Sequence, residues 1–329
     1  MMKEGMRAGF KVLEGMSLNL FSDDELLEIH HATLLVLKET GIRVLAKDAQ
    51  DYFDGGGCIV DRQNNIVKIP AHVVEDAIRS TPSNFLMAGI DPEEDFWLKA
   101  GSTIAFTNFG EGVEVVDPVS RERHRTTKKD VANVTRMCTA MDQVDFLERP
   151  VGANDVPSQV QQIHNAEAVF NNTTKHSIIG SGDAYRCRKI IELAYTVCGG
   201  EENFRARPIY SANTCPNSPL ILNPDTTGVI IEAAKGGAPC SLVDMFMAGA
   251  TAPVTLAGAM VIQNAELLSA IVLAQLVRKG HPCIYGTSSL SFDLRTTTSP
   301  VGAPQLALVS AATAKMAQFY QLPSWAAGG

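Results

Sequence analysis

The stretch CSLVDMFMAGATAPVTLAGAMVIQNAELLSAIVLAQLVRKGHPCIY, residues 240–285, contains one complete strand–loop–helix–strand unit. Its first five residues form a short apolar run that ends in Asp244, and a glycine- and alanine-rich loop follows at 245–258. The sequence then predicts a helix over 259–279 and a new strand that begins near Cys283. A strand, a covering helix and a second strand are the repeating unit of a parallel sheet.

The same unit recurs along the chain from residue 127 onward. We predict strands that start near Asp145, His176, Ile209, Cys240, Cys283 and Ser324. The helices between them are predicted near 159–171, 184–198, 225–235, 259–279 and 304–320. Six strand starts in roughly 180 residues extrapolate to eight in about 250, which is typical of a (β/α)8 barrel. We therefore predict an α/β fold, a (β/α)8 TIM barrel that is incomplete, with about six strands present and two units missing.

A doubly wound sheet is the competing architecture, and it should carry a phosphate-binding fingerprint early in the chain. Gly180-Ser181-Gly182 lies between a predicted strand and a predicted helix, but Tyr185 stands where a third glycine is required. The next strand ends at Asn213, which leaves no acidic residue for a ribose. The barrel is therefore the favoured interpretation.

The first 126 residues have a different, mixed α+β pattern. Ser22 and Glu25 have the spacing of a capping box and predict the start of a helix. Thr127 and Asp130 resemble a second cap, at the point where regular alternation of strands and helices begins. We therefore predict an N-terminal helical and small-sheet segment at 1–126 and the incomplete barrel domain at 127–329.

Composition excludes some classes of partner. The chain has 329 residues, 45% of them hydrophobic and 19% charged, and a net charge of −8. This charge argues against a nucleic-acid partner, because such proteins present a basic face. An acidic surface is compatible with a cationic ligand.

Two further patterns bear on the location of the protein. The seven cysteines are scattered and form no C-x-x-C pair, which is typical of reduced thiols in the cytoplasm. The longest apolar run, 242–262, is interrupted by Asp244, Gly249, Pro253 and Gly258, so a strand and a loop are favoured over a membrane span. We predict a soluble, cytoplasmic protein that does not interact with a membrane.

In a (β/α)8 barrel the reactive residues lie at the carboxyl ends of the strands. The polar, aromatic and thiol residues at or after the predicted strand ends are Asn154, Asp155, Asp183, Asn213, Cys215, Asp244, Tyr285 and Trp325. Among these we select Asp244, Tyr285, Trp325 and Asn213 as candidate substrate-binding residues. No H-E-x-x-H or other dense ligand spacing exists, so we predict no metal site.

Each candidate also has a structural interpretation. Asp183 has the position of a helix N-cap, and Asn213 could satisfy loop backbone. Asp244 closes an apolar run and therefore needs a partner, a ligand or solvent, with function and structure about equally supported. Trp325 could simply fill the interior of the barrel.

Several stretches closely resemble the trimethylamine methyltransferase family. The central one is GATAPVTLAG at 249–258, which continues through Gln263-Asn264-Ala265-Glu266 to Gln275-Leu276. The others are Ile284-Tyr285-Gly286, Leu322-Pro323-Ser324-Trp325 with Gly328-Gly329, and 112–126 with Asp117 and Arg123. The resemblance covers nearly the whole chain.

This resemblance implies a (β/α)8 barrel that moves a methyl group from trimethylamine to the Co(I) of a cognate corrinoid protein, in methylamine metabolism and methanogenesis. It implies that the chain binds no cofactor directly, because the corrinoid (cobalamin) is carried by the partner. The amine site would then need a carboxylate and aromatic faces for a cation. We assign Asp244 to the first role and Tyr285 and Trp325 to the second. We also expect a homo-oligomer.

In the trimethylamine-specific branch of the family, pyrrolysine, encoded by an in-frame amber codon, follows the glycine pair. The resemblance therefore implies a chain truncated at that codon, with pyrrolysine at position 330, directly after Gly329. We assign no catalytic residue within the chain for this reason, and we expect the truncated chain alone to be inactive.

Three other functions stay open. The first is a glycine betaine or other quaternary-amine methyltransferase without pyrrolysine. The second is a cofactor-using barrel enzyme of another class, such as a lyase, with phosphate-binding loops in the missing units. The third is a non-catalytic barrel fragment that acts as a binding subunit.

Overall fold

The computed structural model describes residues 18–101 and 104–328. Gly329, after which pyrrolysine is expected, lies outside the described residues. The α-helices are α1 (Asp23–Leu35), α2 (Lys47–Gly55), α3 (Ala71–Ser80), α4 (Lys128–Thr139), α5 (Gln161–Phe170), α6 (Ala184–Cys198), α7 (Glu201–Ala206), α8 (Pro224–Gly236), α9 (Leu256–Val277) and α10 (Pro304–Phe319).

The strands of the first half are β1 (Ile42–Val44), β2 (Ile59–Asp61), β3 (Ile66–Lys68), β4 (Asn84–Met87), β5 (Phe96–Lys99), β6 (Glu114–Val116) and β7 (Arg123–Arg125). Those of the second half are β8 (Leu147–Glu148), β9 (Ser177–Gly180), β10 (Tyr210–Thr214), β11 (Ile221–Leu222), β12 (Cys240–Asp244), β13 (Met247–Ala248), β14 (Cys283–Thr287), β15 (Leu290–Ser291) and β16 (Ser324–Ala326).

The main sheet has six strands in the order β16-β14-β12-β10-β9-β8, and all neighbours are parallel. Its members are the six predicted strands, each within two residues of its predicted start, so this prediction is confirmed. The spatial order follows the order in the chain, whereas a doubly wound sheet reverses direction at a switch point. The fold is therefore α/β with one progressively wound parallel sheet.

The main sheet has an outer face that packs against the helices and an inner face that packs against a hairpin. Ala212, Leu242 and Tyr285 point to the outer face and belong to the largest hydrophobic core of the described residues. Ile178 and Ile284 point to the inner face, where they form a second cluster. Because both faces are covered, the strand sequences are continuous apolar runs and do not alternate between apolar and polar residues.

The antiparallel hairpin β4–β5 lies at the amino-terminal ends of the main strands. It supplies four buried side chains to the inner cluster, namely Phe85, Met87, Phe96 and Leu98. The residues between β4 and β5 form backbone hydrogen bonds to residues just before two main strands. The Ala88 amide donates to the carbonyl of Pro208 (3.3 Å), and the Asp91 amide donates to that of Thr174 (3.0 Å). The hairpin covers the amino-terminal end of the inner face, so a ligand would have to approach from the carboxyl ends of the strands.

Helix α9 is the central helix of the fold. It is long and apolar enough to cross a membrane, but 72% of its most apolar 18-residue stretch is buried inside the protein. The helix packs against α1, α3, α8 and β12. The residues before it, within the predicted apolar run 242–262, form the end of β12, the short β13 and a loop, as the interruptions predicted. The contacts are those of a core helix.

The N-terminal segment shares its core with the second segment. The capping boxes at Ser22 and Thr127 are both present and open α1 and α4. Strand β1 pairs in parallel with β11, which lies beyond the predicted boundary at residue 126. The largest core cluster likewise combines side chains from both segments.

Candidate active site

The inner face is identified by strand register. Ile178 faces inward, so its partner in β8, Glu148, does too. The following inner-face positions, which pair across neighbouring strands near their carboxyl ends, are Gly180, Asn213, Ser241, Val243, Gly286 and Trp325. We use the name inner-face site for Glu111, Glu148, Asn213, Ser241 and Trp325, of which Glu111 comes from a loop described next.

Residues 104–113 run alongside the edge strand β8. Thr107 Oγ1 accepts from the amide of Glu148 (3.0 Å), and Asn108 Nδ2 donates to the Glu148 carbonyl (2.7 Å). Further along, the Glu111 amide donates to the carbonyl of Arg149 (3.0 Å). These bonds satisfy the open edge of β8 and bring Glu111 to the carboxyl end of the sheet.

Glu111 reaches over β9 because Gly180 has no side chain. A Cβ at Gly180 would lie 2.8 Å from Glu111 Oε1, closer than such atoms approach. The same carboxylate oxygen forms an ion pair with Nη2 of the buried Arg149 (2.6 Å). Glu111 itself is half-exposed, so its carboxylate is open to solvent while it pairs with the buried guanidinium.

Glu148 is the second carboxyl group of the site. Burial, and then the charge of the neighbouring Glu111, raise its pKa to about 7 against the opposing effect of Arg149. A carboxyl group in this range exchanges its proton near neutral pH, as general acids and bases do. When both carboxyl groups are ionised, they carry one more charge than the guanidinium, so one additional positive charge would balance the site.

Two inner-face polar atoms have no partner within the described residues. They are Oδ1 of Asn213 and Oγ of Ser241, both buried, on strands that pair directly with each other. A buried acceptor or hydroxyl without a hydrogen bond costs about 1–3 kcal/mol. Such atoms are best explained by a ligand or water that enters the site.

Trp325 lies on the inner face beside these groups. Its half-buried ring packs against the inner cluster that contains Ile284. The same indole therefore fills the interior, as the structural interpretation predicted, and borders the polar end of the site. An indole face is a good binding surface for an ammonium ion.

The structure separates the four predicted site residues into two pairs. Asn213 and Trp325 lie on the inner face, but Asp244 and Tyr285 lie on the outer face under α9. Tyr285 is fully buried, and its hydroxyl donates to Asn264 Oδ1 (3.0 Å). The four residues therefore do not line one face of the sheet, and a joint role of Asp244 and Tyr285 with the other two in substrate binding stays a prediction.

The remaining strand-end residues have structural contacts. Asp183 caps α6 by accepting from the Arg186 amide (2.8 Å), as its position predicted. Asp155 accepts from the Lys128 amide (2.7 Å). The Cys215 thiol has a pKa raised to about 12, chiefly by burial, which keeps it protonated. Among the described residues, no group of three His, Cys, Asp or Glu side chains is placed to hold a metal ion.

Sequence reasoning missed Glu111, Glu148 and Ser241. The predicted first strand started at Asp145, and candidates were taken only from the residues after it, whereas Glu148 lies inside β8. Glu111 precedes the sheet in the chain, and only the hydrogen bonds along β8 place it there. Strand register was the signal that could have found Ser241.

Comparisons with known proteins agree with this architecture. A trimethylamine methyltransferase MttB from Desulfitobacterium hafniense (strain DSM 10664 / DCB-2) is 47% identical over 98% of this chain, which spans 65% of that protein. One from Methanosarcina barkeri (strain Fusaro / DSM 804) is 40% identical over 100% of this chain, which spans 67% of that protein. The chain thus covers about two thirds of the length of these relatives.

Two more distant matches complete the comparison. A glycine betaine methyltransferase from Desulfitobacterium hafniense (strain Y51) is 28% identical over 94% of this chain and 64% of its own length. The crystal structure of the Methanosarcina barkeri monomethylamine methyltransferase (MtmB) superposes with a TM-score of 0.53 at 13% identity, over 95% of this chain and 69% of its own. That likeness supports the fold.

The trimethylamine methyltransferase (MTTB) family matches residues 5–329, nearly the whole sequence, as the resemblance predicted. By this match and by the 47% and 40% identities to the MttB relatives, the chain belongs to the trimethylamine methyltransferase family.

Proposed function

We propose that this protein transfers a methyl group from trimethylamine to the Co(I) of a cognate corrinoid protein. Family membership supports a methylamine methyltransferase. The observation that carries the proposal is the composition of the inner-face site, where two carboxyl groups, Glu111 and Glu148, lie beside one guanidinium, Arg149. Such a site has the charge to hold one ammonium ion.

The inner-face site offers a separate contact for each part of a methylated ammonium ion. Glu111 and Glu148 supply negative charge, and the Trp325 ring supplies a face on which methyl groups and positive charge can rest. Asn213 Oδ1 is an acceptor without a partner within the described part of the chain, and it suits an N–H group. The hairpin β4–β5 fills the amino-terminal end of the inner face, so water does not enter the site from that end.

Glu148 can also supply the proton that the leaving group requires. Methyl transfer from a neutral amine would expel an amide anion, which is a very poor leaving group. In the proposed step the amine nitrogen carries a proton, and the Glu148 carboxyl group supplies that proton when the amine enters as the neutral base. The C–N bond then breaks with its electron pair on nitrogen, so dimethylamine leaves as a neutral molecule. The partner's Co(I) supplies the electron pair that forms the new bond to the methyl group, and Glu148 is left as a carboxylate.

A protein partner is supported by the surface around the accessible end. Exposed apolar side chains project from three of its loops, namely Phe109 (80% exposed), Val254 (80%) and Leu294 (73%). Apolar groups concentrated around one opening are typical of a surface that another protein or chain segment covers. We assign this surface to contact with the corrinoid protein.

The remaining sequence-based expectations stay proposals. These are an eight-stranded closed barrel, pyrrolysine directly after Gly329, a homo-oligomer and a cytoplasmic location. Mass spectrometry of the native protein tests the pyrrolysine assignment. A longer product that contains pyrrolysine would support it, and a native product that ends at Gly329 would contradict it.

The methyl-transfer assay tests the function itself. The native protein is incubated with its corrinoid partner, reduced to Co(I), and with either trimethylamine or glycine betaine. We expect the cobalt absorption spectrum to change, and dimethylamine to form, with trimethylamine. Methylation with glycine betaine in its place would favour the alternative that the 28% identical relative represents. Methylation with neither substrate would contradict both.

A further inference from the structure

Two carboxyl groups outside the inner-face site are buried together under α9. Asp244 at the end of β12 and Glu266 in α9 both have 0% of their surface exposed. The hydroxyl oxygen of Ser218, in the loop after β10, lies 3.1 Å from Asp244 Oδ1 and 2.7 Å from Glu266 Oε2. We call these three residues the carboxyl pair and its serine. They are independent of the proposed methyl transfer.

The hydrogen-bond donors around the pair are one too few for two carboxylates. Glu266 Oε1 accepts from the Leu220 amide (2.8 Å), and Asp244 Oδ1 accepts from the Met245 amide (2.6 Å). The Ser218 hydroxyl carries a single hydrogen, and its shorter contact is to Glu266. Asp244 Oδ2 is buried and has no donor among the described residues.

Nothing positive balances the pair. Within residues 18–101 and 104–328, no Lys, Arg or His side chain forms an ion pair with Asp244 or Glu266. Two buried negative charges without a counter-ion would be strongly unfavourable, and such groups bind protons instead. A proton between the two carboxyl groups would remove one charge and give Asp244 Oδ2 a hydrogen bond.

We propose that Asp244 and Glu266 share one proton, held on Asp244 Oδ2, and that the protonated pair positions the loop between β10 and β11. The direction of the pKa values agrees. Burial and then the charge of Glu266 raise the pKa of Asp244 well above its usual value. Burial also raises the pKa of Glu266, but hydrogen bonds from Leu220 and Ser218 oppose this, so Asp244 is the protonated member.

The loop needs such a support. Leu220 has a φ of +58°, in the left-handed region that a side chain disfavours, and its amide is the one bonded to Glu266. The next two residues form β11, which pairs with β1 of the N-terminal sheet. The pair therefore connects β12 and α9 to a loop that begins just after Asn213 of the inner-face site. Asp244 and Glu266 are positioning residues in this sense.

The other titratable groups near the pair are neutral. Cys215, in the same loop, and Tyr285, on β14, are the groups whose pKa values the Asp244 charge affects, and in both cases the pKa is raised. Neither the thiol nor the phenol ionises near neutral pH. Glu148, whose pKa is about 7, also acts on the Cys215 thiol. A change in protonation between pH 6 and pH 8 is therefore assigned to the carboxyl pair only where an Asp244 variant lacks it.

The test compares the pH dependence of unfolding in the wild type and in Asp244→Asn. An asparagine amide imitates the protonated acid and can donate to Glu266, so we expect this variant to fold. The wild type takes up one proton at Asp244 when it folds, because an unfolded aspartate is ionised above about pH 4. The ratio of folded to unfolded protein should fall about tenfold per pH unit in the wild type relative to the variant.

Asp293→Asn serves as the matched control. This partly exposed loop aspartate has a lowered pKa, so it is ionised in both states and its substitution should leave the pH dependence unchanged. Parallel pH profiles for the wild type and Asp244→Asn would overturn the proposal.

A second measurement needs no variant. In protein labelled with ¹³C-aspartate, the infrared spectrum at pH 6, where an ordinary aspartate is ionised, should show the carbonyl stretch of one protonated aspartic acid. Its absence would overturn the proposal even if Asp244→Asn failed to fold. Hydrogen exchange over 215–222, corrected for its intrinsic pH dependence, should accelerate above the pH at which that band disappears. Exchange unaffected by loss of the band would refute the positioning role.

Discussion

Replacement of Glu148 by glutamine should abolish the pH dependence of cation binding to the inner-face site. Glu148 has a pKa of about 7 in the unliganded protein because of burial and the Glu111 charge. A bound cation favours the ionised carboxylate and so lowers this pKa. Affinity for a permanently charged cation must therefore rise with pH through 7 and level off above the unliganded pKa.

The magnitude follows from the fraction of Glu148 that is ionised before binding. With a pKa of about 7, about one tenth is ionised at pH 6 and nine tenths at pH 8. Binding to the ionised form alone therefore tightens about tenfold between these pH values, or about 1.4 kcal/mol. At pH 7 the binding of one cation should release about half a proton.

Isothermal titration calorimetry with tetramethylammonium measures both quantities. This cation cannot itself gain or lose a proton, and titrations in two buffers of different ionisation enthalpy count the protons released. In Glu148→Gln we expect no proton release at pH 7 and an affinity that is flat from pH 6 to pH 8. Glu114→Gln makes the same chemical change on the exposed strand β6 and should behave like the wild type.

Two results would refute this reasoning. Proton release that persists in Glu148→Gln would place the titrating group elsewhere. Wild-type affinity that falls as the pH rises would show that the site does not bind the cation through an ionised carboxylate.

Three further substitutions separate the two faces of the sheet. Trp325→Leu should weaken tetramethylammonium binding by about 2- to 30-fold, the equivalent of the 0.5–2 kcal/mol of a cation–π contact, and an unchanged Kd in calorimetry would exclude the indole. Gly180→Ala should weaken the same binding, because the new Cβ displaces the Glu111 carboxylate; an unchanged Kd would show that Glu111 does not contribute. Tyr285→Phe should lower the free energy of unfolding in urea by about 1–3 kcal/mol, because Asn264 loses a buried donor, and should leave the Kd unchanged. A selective loss of binding in Tyr285→Phe would restore this residue to the site.

The strand and helix pattern could be predicted because it depends on local sequence. Each strand–helix unit has its own apolar run and its own break, and the six strand starts follow from these signals alone. The capping boxes at Ser22 and Thr127 likewise depend on residues three apart. Helix α7 was not predicted, since it is a short turn of helix that directly follows α6.

The face of each strand could not be predicted in the same way. Strand β12 is buried at all five positions, so it shows no alternation that would distinguish inward from outward side chains. A shift of one residue reverses the face. Asp244 and Val243 are neighbours at the same strand end, and only the pairing with β14 shows that Val243 faces inward and Asp244 outward.

Helix α9 explains why the outer-face residues resembled a site. Three contacts join its buried polar residues to the main sheet. Thr287 donates to Gln263 (2.9 Å), Tyr285 donates to Asn264 (3.0 Å), and Asp244 adjoins Glu266 through Ser218. Polar side chains inside an otherwise apolar helix have to be satisfied, so they fix which side of α9 meets the sheet.

Tyr285 differs from the inner-face polar residues Asn213 and Ser241 in its hydrogen-bond partners. Tyr285 has its donor bond satisfied within the chain, by a helix whose own polar side chains require it. Asn213 and Ser241 lie at the same end of the same sheet, but their buried oxygens have no partner within the described residues. A polar ligand or water that enters the site would remove the cost of leaving both oxygens unsatisfied. Burial alone therefore does not identify the site; buried polar atoms without a partner on the face beside Glu148 do.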